Sequence, residues 1–161
     1  MIIILHGLES KPNENKTKFF KTIDEDVFQP IINYKDVDSI EILKNDIKIL
    51  IESKPENLLF IGTSMGGFLA EYFAHYFGGK MVIINPALFN KYTEFDKYKI
   101  KDRYIPGIVL LDLNDNVIDN IKTYRELKDT YEIIHFTGEG HRFSSFEKYR
   151  NYFEKMHKLV I

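Results

Sequence analysis

Residues 57–67 decide the fold of this chain, and they read Asn-Leu-Leu-Phe-Ile-Gly-Thr-Ser-Met-Gly-Gly. A short apolar run stops at Gly62 and a stretch with helical character begins at Gly66, so Ser64 lies at the bend between a strand and a helix. Glycines at these two positions let the strand and the helix pass closely, and the spacing G-x-S-x-G turns the serine side chain outward on a strained backbone. The pattern indicates a nucleophilic serine; the alternative is a plain glycine-rich turn with an exposed serine.

The composition is that of an ordinary globular protein. With 161 residues, of which 44% are hydrophobic and 29% charged, the chain is long enough to bury a core, and we expect a single domain over residues 1–161. The formal net charge of -2 provides no basic field, so no nucleic-acid partner is expected. The absence of cysteine excludes disulfides, thiolate metal sites and a cysteine nucleophile.

The first residues are apolar but too few to cross a membrane. Residues 1–5 read Met-Ile-Ile-Ile-Leu, then His6 and Gly7 interrupt them, and no basic region precedes them. We therefore predict a buried strand and not a signal peptide or membrane span, with no membrane partner and a cytoplasmic location. The five histidines show no H-E-x-x-H or comparable spacing, so no metal site is expected. The sequence leaves the oligomeric state open.

Apolar runs and helical periodicities alternate along almost the whole chain. The predicted strands are residues 2–5, 27–34, 58–61, 80–84, 105–111 and 131–136. The predicted helices are residues 15–23, 39–53, 66–77, 117–128 and 144–159. The first helix lacks a strong cap, and we expect Pro55 to end the second. Alternation of this kind predicts an α/β fold in three layers, a mainly parallel sheet of about six strands with helices on both faces.

A serine hydroxyl is too weakly acidic to act alone, and it needs a base and an acid that orients the base. Two loops after later strands offer both. The loop after the fifth strand carries Asp112, Asp115 and Asp119, and the loop after the sixth carries His141 in a Gly-Glu-Gly-His turn. Because the carboxyl ends of parallel strands meet at one edge of the sheet, we expect these groups beside Ser64.

Five short motifs occur in order along the chain. They are His6-Gly7-Leu8, Gly62-Thr63-Ser64-Met65-Gly66-Gly67, Asn85-Pro86-Ala87, Asn114-Asp115-Asn116-Val117-Ile118-Asp119 and Gly140-His141-Arg142-Phe143. Together they resemble the α/β-hydrolase superfamily and, more narrowly, the small bacterial esterases of the YqiA type, over nearly all of the chain. The resemblance implies a minimal α/β-hydrolase fold with little or no lid, and a serine hydrolase of acyl esters or thioesters that needs no cofactor.

The resemblance also implies a role for individual residues. It makes Ser64 the nucleophile, His141 the base and Asp115, the aspartate followed two places on by valine, the acid. The backbone amides of Leu8 and Met65 would then form the oxyanion hole. Only a neutral imidazole can accept the proton of the serine, so activity is expected to fall at acid pH.

Three residues near these positions need a separate interpretation. Asp112 is nearest to its strand and is the rival of Asp115 for the acid. Relatives often have glycine where this chain has Asn114, and asparagine also tolerates left-handed backbone. We expect His6 to hold its turn by hydrogen bonds and to lie at the substrate pocket.

The connection formed by residues 86–105 is the longest between strands without a clear helical period. In the superfamily that the chain resembles, lids are inserted at the corresponding connection. Aromatic side chains mixed with charged ones predict a rudimentary cap and acyl-pocket wall here, with Phe89 and Tyr92 at the substrate. The alternative is that the aromatic residues only dock this segment onto the sheet edge.

We predict hydrolysis of a small-molecule carboxylic ester or thioester through a Ser-His-Asp triad and an acyl-enzyme intermediate. Two alternatives stay open. The chain could be a non-catalytic domain that binds a ligand or partner in the cleft at the strand ends. It could also transfer the acyl group to an acceptor other than water with the same triad.

Overall fold

Six strands form one sheet in this computed structural model, which describes residues 1–53 and 56–161. The strands are β1 (Ile2–Leu5), β2 (Val27–Phe28), β3 (Leu59–Thr63), β4 (Lys80–Ile84), β5 (Gly107–Asp112) and β6 (Glu132–Phe136). Their order in the sheet is β2-β1-β3-β4-β5-β6, and every neighbouring pair is parallel. The predicted α/β class and six-stranded parallel sheet are confirmed.

The helices pack on both faces of this sheet. They are α1 (Glu14–Lys21), α2 (Asp38–Glu52), α3 (Met65–Phe77), α4 (Asn120–Leu127) and α5 (Arg150–Lys158), with 3-10 helices at Thr93–Tyr98 and Glu147–Tyr149. One hydrophobic core joins the sheet to α2, α3 and α4, and a second joins its other face to α1 and α5. No helix in the described part of the chain combines the length and apolar composition that a bilayer crossing requires.

Each buried strand supplies both cores, because successive side chains of a strand point to opposite faces. In β1, Ile3 and Leu5 pack into the core of α2 and α3, while Ile2 and Ile4 pack into the core of α1 and α5. Strands buried on both faces are apolar throughout, as the sequence of a parallel sheet requires. The uninterrupted apolar strands therefore account for the three layers, because each face of the sheet needs helices to cover it.

The second strand is much shorter than residues 27–34. Pro30 has no amide to donate to a neighbouring strand. Beyond it, the amide of Ile32 donates to His6 Nε2 at 2.8 Å and the hydroxyl of Tyr34 donates to the His6 carbonyl. This segment therefore secures the turn after β1 and does not extend the sheet.

Two helix ends also differ from the sequence interpretation. The first helix does have a cap, because Asn13 Oδ1 accepts hydrogen bonds from the amides of Asn15 and Lys16 at 2.9 and 3.2 Å. The last helix begins at Arg150, six residues later than predicted, after a 3-10 turn. The predicted stop at Pro55 lies outside the described residues.

The start of α3 crosses two strands at distances that only glycine permits. A Cβ atom added to Gly62 would lie 2.0 Å from the carbonyl oxygen of Gly66, and one added to Gly66 would lie 2.0 Å from the carbonyl oxygen of Leu5. Carbon and oxygen atoms that are not bonded do not approach so closely. The close passage of strand and helix inferred from the sequence is present, and it involves β1 as well as β3.

The substitution Gly66→Ala should therefore destabilise the protein by about 3 kcal/mol, because the methyl group overlaps buried backbone that has no room to move. Gly78→Ala is the matched control at the other end of α3, where φ is 70° and a Cβ meets no atom within 4 Å. Only left-handed strain acts there, at a cost of about 1 kcal/mol. Urea denaturation measures both, and equal losses would contradict the steric explanation.

Candidate active site

Ser64 lies between β3 and α3 in a backbone conformation that few non-glycine residues adopt, with φ 58° and ψ -122°. Hydrogen bonds hold it on two sides. Its amide donates to the carbonyl of Ile84 at 3.0 Å, and its carbonyl accepts from the amides of Phe68 at 3.1 Å and Ala87 at 3.0 Å. The strain is therefore fixed by β4 and α3 together, and the side chain lines a cavity at the strand ends.

The turn after β1 lies directly against this bend. A Cβ added to Gly7 would be 3.4 Å from Ser64 Cβ, which is ordinary contact. Leu8 follows in the cavity wall, and its amide donates no hydrogen bond within residues 1–53 and 56–161. Met65 opens α3, so its amide is one of the first-turn donors that have no partner inside the helix. In the described part of the chain the amides of Leu8 and Met65 therefore have no acceptor, and both residues line the cavity with Ser64.

His6 is buried and does not line the cavity, contrary to the expected pocket position. Its Nε2 accepts from the amide of Ile32 at 2.8 Å, so the proton is on Nδ1, which donates to the Gly7 carbonyl at 2.8 Å. Burial lowers the pKa of His6, which favours the neutral ring that this arrangement needs. Because backbone groups occupy both nitrogens, His6 holds the turn, as the sequence also suggested.

His141 contacts a carboxylate through one ring nitrogen. Its Nδ1 lies 2.9 Å from Asp115 Oδ2; the aspartate side chain is fully buried and the histidine side chain is 21% exposed. The other carboxylate oxygen, Oδ1, accepts from the amides of Val117 and Ile118 at 2.7 and 3.0 Å. Asp115 therefore has one oxygen fixed by its own loop and the other directed at the imidazole.

Asp112, the rival for this contact, has a different set of partners. Its Oδ1 accepts from the amide of Asn114 at 2.8 Å, and its Oδ2 accepts from the amides of Glu139 and Gly140 at 2.8 and 2.6 Å. It is completely buried and secures the turn that precedes His141. Asn114 is not among the described residues with positive φ, so a tolerance for left-handed backbone plays no part here. Asp119 caps α4 by accepting from the amide of Lys122 at 3.0 Å.

A buried amide, that of Asn85, joins the ends of β4 and β5 to the loop that carries His141. Asn85, whose φ is 42°, accepts through Oδ1 from the amide of Asp112 and from Asn120 Nδ2, both at 2.8 Å. Its Nδ2 donates to the carbonyl of Gly140 at 3.2 Å. Asn120 Nδ2 also donates to the Asp112 carbonyl at 2.7 Å. Sequence reasoning gave Asn85 and Asn120 no role, although a polar residue directly after a buried strand was a signal that could have identified Asn85.

An open cavity of about 1540 Å³ lies at the carboxyl ends of the strands. Its wall includes Ser64, His141, Leu8, Met65, Phe89 and Tyr92. Asp115 lies behind His141 and contacts it from the protein side. In residues 1–53 and 56–161 the Ser64 hydroxyl and His141 Nε2 form no hydrogen bond, to each other or to other groups. The same residues contain no group of three His, Asp or Glu side chains arranged to hold a metal ion.

The segment of residues 86–105 divides into two parts. Phe89 and Tyr92 line the cavity, with the Lys122 ammonium 4.0 Å from the centre of the Phe89 ring. Phe95 and Tyr98 are buried in the core on the α2 and α3 face of the sheet. The first part has the position predicted for a pocket wall, and the second has the packing role of the alternative.

Solved structures with the same fold include hydrolases. The chain superposes on a Xanthomonas campestris protein assigned to the hydrolases of the alpha/beta superfamily with a TM-score of 0.72, at 15% identity, covering 98% of this chain and 97% of that one. It superposes on the monoacylglycerol lipase of Paleococcus ferrophilus with a TM-score of 0.66, at 14% identity, covering 96% and 92%. At these identities the likeness shows the fold alone, an α/β-hydrolase fold.

Sequence comparison identifies the family. The model described as "Uncharacterised protein family (UPF0227)" matches residues 1–102. The UPF0227 protein VP0969 of Vibrio parahaemolyticus is 30% identical over 172 residues, covering 92% of this chain and 94% of the relative. The UPF0227 protein PM0825 of Pasteurella multocida is 30% identical over 165 residues, covering 89% and 91%. The chain thus combines an α/β-hydrolase fold with the sequence of the UPF0227 family, and it belongs to that family.

Proposed function

We propose that this protein is a serine hydrolase that cleaves carboxylic esters or thioesters of small molecules through Ser64, His141 and Asp115. The observation that carries the proposal is the 2.9 Å contact between His141 Nδ1 and Asp115 Oδ2 in the wall of the cavity that Ser64 also lines. Structures with this fold include an esterase from Pyrobaculum calidifontis and a monoacylglycerol lipase, which supports the reaction class.

The histidine is oriented before the substrate arrives. Asp115 accepts a hydrogen bond from His141 Nδ1–H, which leaves Nε2 unprotonated and able to act as the base. The base removes the proton of Ser64 as its oxygen attacks the carbonyl carbon of the ester. The imidazolium that results is stabilised by the buried carboxylate, which is itself kept in place by two backbone amides.

The negative charge of the tetrahedral intermediate develops on the former carbonyl oxygen. In this mechanism the amides of Leu8 and Met65 receive it. Met65 adjoins Ser64, Leu8 follows the Gly7 turn that packs against Ser64, and neither amide is used elsewhere in the described chain. His141 then returns the proton to the departing alcohol or thiol, leaving an acyl group on Ser64. A water molecule repeats the sequence of steps and releases the carboxylic acid.

Asp112 has a positioning role in this mechanism. It binds the backbone of the turn that carries His141 and does not touch the imidazole. Asn85 and Asn120 extend the same support to the ends of β4 and β5. The two aspartates therefore have different roles: Asp115 orients the imidazole ring of His141, and Asp112 fixes the backbone turn before it.

Ser64→Ala should lower the turnover of 4-nitrophenyl butanoate by a factor of about 10⁴ or more without lowering the melting temperature, because the nucleophile is lost and no packing contact goes with it. The matched control is Ser144→Ala, which removes another serine hydroxyl from the same cavity and should retain activity. Labelling by a fluorophosphonate probe should require Ser64. Retention of a tenth of the activity by Ser64→Ala would exclude Ser64 as the nucleophile. A wild-type protein that neither hydrolyses the ester nor reacts with the probe would instead favour a binding domain.

Asp115→Asn should reduce turnover by a factor of about 10⁴ with little loss of stability. The amide oxygen can keep the two hydrogen bonds from the loop backbone, while its NH₂ group meets His141 Nδ1 and forces the proton onto Nε2. Asp112→Asn should instead cost about 1–3 kcal/mol of stability, because an NH₂ group would face backbone donors. Turnover at saturating ester and urea denaturation are measured for both variants. A larger loss of turnover in Asp112→Asn would reverse the assignment.

Phe89→Ala should raise KM more for esters with long acyl chains than for those with short ones, because part of the apolar cavity wall is removed. The expected loss of preference for long chains corresponds to about 1–3 kcal/mol in the ratio of kcat/KM values. The contrasting variant is Phe95→Ala in the same segment, which is 1% exposed and outside the cavity. It should cost about 3–5 kcal/mol of stability and leave the chain-length preference unchanged. The measurements are kcat/KM for butanoate to dodecanoate esters and the melting temperature. An unchanged preference in Phe89→Ala would remove the acyl wall from this mechanism.

A further inference from the structure

The wall of the cavity that contains Ser64 includes a lysine, Lys16, that has no ionic partner among the described residues. Lys16 belongs to the first turn of α1, is half-buried and lines the cavity together with Phe146. Its ammonium lies 5.2 Å from the centre of the Phe146 ring, a cation–π contact. Among the residues that the structure describes, no carboxylate lies within 4.0 Å of this ammonium and no acceptor hydrogen-bonds to it.

The acidic residues around it do not compensate this charge. Glu14 on the same helix pairs with Lys18 at 2.9 Å, and Glu147 across the cavity pairs with Arg150 at 2.9 Å. Glu9 and Glu139 also line the cavity and form no ion pair with Lys16. The cation is therefore left for something that enters the cavity from solvent.

The surroundings of Lys16 disfavour a positive charge. Partial removal from water lowers the pKa of Lys16. A cation in the first turn of a helix also faces the positive end of the helix dipole, which is the unfavourable arrangement. The Phe146 ring offsets only part of this cost. A side chain placed in this way gains most from a bound anion, because a partly desolvated cation interacts strongly with a negative partner.

The position of Lys16 connects it to the reacting groups. The same continuous cavity contains Ser64 and His141. The Lys16 charge is close enough to His6 to contribute to the lowering of the pKa of that histidine, after the larger effect of burial. His6 immediately precedes Gly7, whose turn packs against Ser64. The ammonium thus lies on the β1 side of the cavity, the side of the Leu8 amide.

Resting on the proposed hydrolase function, we infer that the preferred substrates carry a negatively charged group that binds the Lys16 ammonium while the ester carbonyl lies at Ser64. The anion can belong to the acyl part or to the alcohol part of the ester, since both extend from the carbonyl into the same open cavity. Lys16 is accordingly a substrate-binding residue that sets specificity, and it takes no part in proton transfer.

The experiment compares charged and neutral esters in matched pairs. On the acyl side, mono-4-nitrophenyl glutarate is compared with 4-nitrophenyl pentanoate; on the alcohol side, 4-carboxyphenyl butanoate is compared with phenyl butanoate. Lys16→Met should lower kcat/KM about 10-fold or more for the charged ester of one pair and leave the neutral ester unchanged, because an ionic hydrogen bond is lost. Lys16→Arg should keep most of the preference, since the cation is retained.

The control variant is Lys18→Met, which removes a 69% exposed lysine from the same helix, outside the cavity. It should change neither kcat/KM value. Lys16→Met should also keep or raise the melting temperature, because the charge that it removes is partly desolvated and unpaired. The pair that responds identifies the acyl or the alcohol part as the site of the anion. Equal effects on charged and neutral esters, or none in either pair, would overturn the inference.

A binding measurement separates this inference from the hydrolase proposal. If the wild-type protein cleaves none of the four esters, the proposed function fails, but binding to Lys16 is still measurable. Calorimetry then compares glutaric acid mono-4-nitroanilide with pentanoic acid 4-nitroanilide in the Ser64→Ala background. Adding Lys16→Met should raise the Kd of the charged anilide about 10-fold and leave the neutral one unaffected. An unchanged Kd for the charged anilide would refute the anion site.

Discussion

The close contact between the first turn of α3 and the ends of β1 and β3 is the constraint on which the site depends. At Gly62 and Gly66 the backbones approach so nearly that a single methyl group would overlap a carbonyl. Ser64, between the two glycines, has a strained backbone conformation, and hydrogen bonds with β4, α3 and Ala87 hold it. The close contact also brings the turn at Gly7 against Ser64, the proposed nucleophile. The same contact places Leu8 and Met65, whose amides have no acceptor among the described residues, next to this turn and this serine in the chain. Local strain is thus maintained by the rigidity of the sheet.

The second constraint is electrostatic and lies at the neighbouring strand ends. Asp112 is a buried carboxylate with three backbone donors, and Asn85 and Asn120 fill the space around it. A buried charge without such partners would cost several kcal/mol, so the loops it contacts are fixed as a consequence of satisfying it. One of those loops presents His141. The polar network therefore positions His141 as the glycine contact positions Ser64, while Asp115 makes the contact to the imidazole.

The apolar runs in the sequence were sufficient to predict the six-stranded parallel sheet. Strands buried on both faces are apolar without interruption, and they end at residues such as Gly62 or Asn85 that break the apolar run. The apolar pattern failed for residues 27–34, where an apolar run leaves the sheet to bind His6 by hydrogen bonds that no spacing reveals. The family resemblance assigned Ser64, Asp115 and His141 to one site; in the structure His141 contacts Asp115 and lines the same cavity as Ser64. The position of His6 and the roles of Asp112 and Asn85 depend on which backbone donors point inward, a property of the folded loops that the residue types alone do not determine.

The proposed ester hydrolysis at Ser64 and the proposed anion binding at Lys16 take place in the same open cavity. In an open cavity water is not excluded from a bound ligand, so the proposed hydrolase would take its binding energy from fixed groups in the cavity wall. Phe89 and Tyr92 offer apolar area on the side of β4. Lys16 offers charge on the side of β1, where a half-buried cation that has no ionic partner among the described residues is tolerated at some cost in stability. An anionic ligand bound to Lys16 would remove this cost in stability. The free protein would then be less stable by the cost of the unpaired ammonium, and the complex would gain the same interaction as binding energy.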